Sequence, residues 1–279
     1  MSTAPAAEPA LAPPPPPAPS LGSLRDLLLF LLLATALFPL VQFSALYLLV
    51  LYARGASPNV AWERLLNQVI ERNQYNAFFA VPVQMTYYLL LLLLLYAVVR
   101  RRGLRFGPAL ALRALGPASA VLTLVTGTTL ALVITMASVL HPPKEQLAID
   151  RLMSTRAAAE LVIVAAVLIA PLVEELLFRG YIYTLLEGLW GSNRAVVTSG
   201  LLFGAIHFPQ LWPEEFQMAL LCVVGLILSL TRARTGSTTA SICLHFAYNG
   251  TLSALFLLSP AFRALPALPL PLLALLRPS

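Results

Sequence analysis

Two carboxylates stand side by side in the stretch P-L-V-E-E-L-L-F-R-G, at Glu174 and Glu175, with Arg179 four residues after the second. The run around them is apolar, and insertion scales put a charge at the centre of a bilayer helix at roughly 2.5–3.5 kcal/mol. On a helix Glu175 and Arg179 share one face and can neutralise each other. Glu174 points about 100° away and has no counter-charge in its own helix. It therefore needs polar groups from other helices, and a carboxylate so placed is suited to act as a general base near neutral pH.

Two further apolar segments supply such groups. One is F-G-A-I-H, from Phe203 to His207; the other holds Ser241, His245 and Asn249, each four apart and so on one helix face. Glu174 lies 17 residues before Gly191 and His207 lies 16 after it, so a reversal at Gly191-Ser192-Asn193-Arg194 brings acid and imidazole to nearly equal depth. His245 is about 15 Å beyond Arg234 at 1.5 Å per residue, also inside the membrane. Taken singly, each has a plainer reading: a transmembrane histidine or asparagine as an interhelical hydrogen bond, and Glu175–Arg179 as a helix-stabilising pair. Their conjunction within one hundred residues points instead to a site. Glu174, Glu175, His207, His245 and Asn249 are the candidate catalytic set, with Arg179, Phe203 and Ser241 in support. His141, beside two prolines, reads as an interfacial loop residue, and Cys222 and Cys243 as small core residues.

The elements that must position these groups are transmembrane helices. The chain has 279 residues, 59% hydrophobic and 11% charged, with a mean hydropathy of +0.82, which excludes a soluble globular domain. Spans are predicted over about 27–52, 77–99, 114–140, 160–180, 195–208, 216–231 and 235–258, with an amphipathic surface helix between the first two. The expected fold is all-α: a polytopic integral membrane bundle of seven to eight transmembrane helices with its site inside. Residues 1–22 form an Ala/Pro-rich disordered tail, including Pro13 to Pro17. Residues 23–140 hold three spans without a motif, 141–258 the motif-bearing core, and 259–279 a Pro-rich apolar tail that leaves an eighth span open. Arg100, Arg101, Arg102, Arg105 and Arg113 in one short loop, with Arg232 and Arg234 in another, read as cytoplasmic flanks. The N-terminus is then cytoplasmic, and the expected location is a bacterial inner membrane. The formal charge of +6 is accounted for by these loops, so no nucleic-acid partner is expected.

The three ordered blocks E-E-x-x-x-R (Glu174, Glu175, Arg179), F-x-x-x-H (Phe203, His207) and H-x-x-x-N (His245, Asn249) resemble the CPBP family of intramembrane proteases. That family includes the type II CAAX prenyl endopeptidases and the Abi-like proteins. Pro171, Phe178, Gly180, Phe246 and Gly250 fit the resemblance, which spans about residues 157–257. It implies a membrane endopeptidase in which Glu174 and His207 hold and activate water while His245 and Asn249 stabilise the oxyanion. The expected partners are membrane lipid and a peptide or protein presented at the membrane. A metal-independent glutamate mechanism is preferred and zinc stays open as a cofactor, since Glu174, His207 and His245 would make a His₂Glu set with an open position. No H-E-x-x-H, G-x-S-x-G or intramembrane Asp occurs, which sets aside the local zinc motif and the serine and aspartyl mechanisms. Two other classes fit an apolar bundle: a proton-coupled transporter, which would show inverted repeats, and a non-catalytic scaffold or immunity-type protein.

Overall fold

The computed structural model describes residues 21–266, so the proline-rich N-terminal tail and most of the C-terminal tail lie outside the described residues. Every regular element within them is helical. Helix α1 (Leu24–Ala56) starts on a capping box, Ser23 and Asp26 satisfying each other's backbone amides, and runs through Pro39 without a break. A short amphipathic helix follows, α2 (Trp62–Asn73), as the sequence predicts; Leu65 and Val69 pack on Val50 of α1. Asn76 caps α3 (Ala77–Arg101), and Pro117 opens α4 (Pro117–Leu140).

The fourth span, α5, is a single rod from Arg156 to Trp190, and its apolar window is the most buried of the candidate spans. It ends at Gly191, whose φ of 82° suits glycine, and the chain re-enters as α6 (Ser192–Ala205). Helices α7 (Glu215–Thr235) and α8 (Thr238–Leu258) complete the bundle, separated by Gly236 in a left-handed turn. Six helices among the described residues are long and apolar enough to cross a membrane. The exception is α6: its 14 residues span about 21 Å at 1.5 Å per residue. The predicted position of this helix, 195–208, was three residues late, because the turn glycine is followed at once by helix.

Small residues set the helix distances. In α6 and α7, Gly200 lies against the backbone of Leu226, and a Cβ there would stand 2.9 Å from its Cα. A Cβ on Gly225 would run into the carbonyl of Gly200, and one on Gly127 of α4 into the carbonyl of Leu244 in α8. Without a hydrophobic driving force in lipid, such close approach is what holds helices together.

The helix ends are also tied. At the arginine-rich end, the loop after α3 folds under the bundle: Leu110 is fully buried, and the carbonyls of Leu110, Ala111 and Arg113 accept from Thr238 Oγ1, Thr238 N–H and Ser237 Oγ at the start of α8. At the other end the buried Glu214 accepts the backbone N–H groups of Lys144 and Glu145, both at 2.8 Å. His141 sits in this loop and stacks on Phe216, 4.7 Å between centroids.

Gly225→Ala is expected to destabilise the detergent-solubilised protein by about 1–3 kcal/mol through overpacking. Gly188→Ala, on an open helix face, should be neutral or stabilising by up to about 1 kcal/mol. Thermal unfolding of the two variants checks the α6–α7 contact, and equal melting would refute it.

Candidate active site

Helix α5 is not a uniform α-helix. Two π segments, Ala165–Ile169 and Leu176–Ile182, bracket the six α-helical residues Ala170–Glu175 that carry both carboxylates. Pro171 explains the first. It has no N–H to donate and its ring would collide with the carbonyl four residues back, so the preceding turn widens. Ala170 N–H accordingly reaches Ala165 O, five residues back. In that pattern the carbonyl of Ala166 faces Pro171, which cannot donate. Asn249 of α8 fills the gap, its Nδ2 donating to Ala166 O at 2.7 Å. One amide hydrogen of Asn249 thus has a structural task, and the second is uncommitted by this bond.

Glu175 is fully buried. Its Oε1 accepts from Arg179 Nη1 and from His245 Nδ1, both at 2.9 Å. Arg179 is buried too; its Nη2 donates to the carbonyl of Gly225 on α7 at 2.7 Å, and its guanidinium lies 4.6 Å from the centroid of Phe203. The pair at four-residue spacing therefore forms as predicted and extends to two further helices. A carboxylate can only accept, so Nδ1 of His245 carries the proton and Nε2 is left for other work.

Phe203 is the hub of the site. Its ring meets His207 at 5.0 Å, His245 at 5.7 Å and Phe178 at 5.4 Å. His207 follows the end of α6, and its Nδ1 donates to Phe203 O at 2.8 Å, which again leaves Nε2 free. Ser241, one turn before His245, donates to Leu228 O at 3.1 Å and holds α8 on α7. The structure thus brings Glu175, Arg179, Phe203, His207 and His245 into one connected cluster.

Glu174 behaves differently from its neighbour. It is half-buried, and its recorded partner is neither histidine: Tyr88 of α3 donates its hydroxyl to Glu174 Oε1 at 2.8 Å. Tyr88 was not among the residues the sequence singled out. The polar run Q-M-T-Y-Y, Gln84 to Tyr88, inside an otherwise apolar span was the available signal. Among the described residues no three His, Cys, Asp or Glu side chains are grouped as a metal site. His245 presents its Nδ1 to Glu175, and Glu174 accepts from Tyr88.

Residues 157–251 match the family model described as type II CAAX prenyl endopeptidase Rce1-like. No curated protein and no solved structure matches the chain.

Removing one member of a buried ion pair strands the other charge, at a cost of about 3–5 kcal/mol. Arg179→Met should therefore lower stability on that scale, and the double variant Glu175→Gln/Arg179→Met should recover part of the loss. Chemical denaturation of the solubilised protein reads both. A single variant as stable as the parent would mean that the charges are not sealed from solvent.

Proposed function

The chain is a multi-pass membrane protein carrying a domain of the type II CAAX prenyl endopeptidase Rce1-like family, a CAAX-type protease family, and on that premise we propose that it is an intramembrane endopeptidase whose general base is Glu174. The observation that carries this reading is the unequal burial of the two adjacent carboxylates. Glu175 has no exposed surface and spends Oε1 on Arg179 and His245; Glu174 is half-buried and can meet water.

Peptide hydrolysis needs an activated water, donors for the oxyanion and a proton for the leaving amine. Glu174 takes the proton of the water, and His207, with Nε2 free, holds that water from the side of α6. As oxygen bonds to the scissile carbonyl carbon, negative charge develops on the carbonyl oxygen. The second amide hydrogen of Asn249 donates to it, as does His245 when its Nε2 carries a proton. An imidazole whose Nδ1–H is anchored on a carboxylate presents Nε2 in a fixed direction, the arrangement that serves acid–base histidines elsewhere. The proton on Glu174 then passes to the departing nitrogen. Glu175 and Arg179 orient His245 and do not touch the reacting atoms.

The substrate class that fits is a peptide or protein delivered at the membrane, since the site lies among spans. Residues 141–258 form the catalytic half and 23–140 the accompanying spans. The arginine-rich loops set the N-terminus on the cytoplasmic side, and a bacterial inner membrane is the location that the reading favours.

The test is cleavage of a membrane-anchored peptide reporter by the reconstituted protein. Glu174→Gln and His207→Ala should each lower kcat by about 10²–10⁴-fold with unchanged melting. Retained cleavage in Glu174→Gln would overturn the assignment. Activity should also survive exhaustive chelation; a loss restored by zinc would replace the glutamate mechanism with a metal-dependent one.

A further inference from the structure

Glu174 finds its hydrogen-bond partner on a helix outside the family match. Tyr88 stands midway along α3, and its hydroxyl lies 2.8 Å from Glu174 Oε1. A phenol is protonated at neutral pH, and a carboxylate only accepts, so the bond has one direction. The neighbouring phenol, Tyr87, is turned to other partners. The ring of Tyr87 lies 6.0 Å away and packs edge-on against Phe38 at 5.3 Å, while its own hydroxyl reaches Ala34 O of α1 at 3.4 Å. Gln84 lies one turn earlier on the same face of α3.

A half-buried glutamate without a salt bridge among the described residues has three side-chain torsions to fix before it can act as a base at a defined position. Two routes could fix them: a second residue on α5, or a donor from another helix. Glu175 and Arg179 are engaged with each other and with His245 and Gly225. The donor therefore comes from α3.

We propose that Tyr88 is a positioning residue for Glu174, occupying Oε1 so that Oε2 is the oxygen presented to the hydrolytic water. This rests on the assignment of Glu174 as general base. In the step concerned, Oε2 receives a proton as the water's O–H bond breaks and its oxygen bonds to the carbonyl carbon. The Tyr88 proton stays on the phenol throughout. The three motif-free spans then supply more than a wall for the site: one of them sets the direction of attack. A carboxylate released from this bond samples other rotamers, and the loss falls on turnover, with substrate binding little changed.

The experiment uses the full chain reconstituted in lipid with a membrane-anchored peptide reporter and compares Tyr88→Phe, Tyr87→Phe and Glu174→Gln. Tyr88→Phe should lower kcat by about tenfold or more, leave KM within about twofold and leave the melting temperature unchanged. Tyr87→Phe, which removes a hydroxyl of the same kind one residue away, should keep both constants within about twofold. Replacing Tyr88 by 3-fluorotyrosine, which keeps the donor, should restore kcat to within about threefold. Wild-type turnover in Tyr88→Phe beside an inert Glu174→Gln overturns this inference alone. So does a Tyr88→Phe loss in which melting temperature falls with kcat, or a 3-fluorotyrosine protein as slow as the phenylalanine one. Cleavage by Glu174→Gln would instead overturn the base assignment and this inference together.

Discussion

A carboxylate with no solvent exposure, shared between a guanidinium and an imidazole, is the constraint around which the bundle is arranged. Glu175 cannot keep its charge in a low-dielectric interior unless Arg179 and His245 stay within hydrogen-bond reach. Arg179 in turn is tied to Gly225 O of α7. One buried charge thus fixes α5, α7 and α8 relative to one another. It also fixes the ring of His245, because the same bond that satisfies Glu175 sets which imidazole nitrogen is left free. Stability and the orientation of His245 come from a single contact.

Around that contact, the packing is permissive only in narrow ways. Glycines at 200 and 225 let α6 and α7 touch backbone to backbone, which brings Phe203 into the middle of the cluster, where it meets both imidazoles and the guanidinium. An aromatic face beneath a guanidinium is an apolar surface that tolerates the cation. The widened turns of α5 add a different adjustment, since each π segment carries an extra residue without breaking the rod. They let Pro171 sit at membrane depth while Asn249 takes up the carbonyl that the proline leaves unserved.

Much of this was legible in the chain, and the reasons differ by element. Long apolar runs and the arginine loops between them define spans almost by composition, so α1, α3, α4, α7 and α8 lie where they are predicted. The Glu175–Arg179 pair was readable from its four-residue spacing alone. The need of Glu174 for a partner on another helix was readable too, but the identity of that partner was not: a tyrosine in a span is chemically unremarkable, and only tertiary packing of α3 against α5 makes it a donor to Glu174. The π segments were equally hidden, because one extra residue in a helical turn leaves no trace in hydropathy. The structural duty of Asn249 follows from them and was hidden for the same reason.

The brevity of α6 has one more consequence. A bilayer's hydrocarbon layer is about 30 Å thick, whereas α6 climbs only about 21 Å. If its first turn sits at the inner boundary, the chain leaves helical geometry roughly 9 Å short of the outer one. Irregular backbone at that level must border protein or water, and His207 lies at that point. A truncated span is therefore a gap in the lipid-facing wall at this depth, one that neighbouring protein or water has to line.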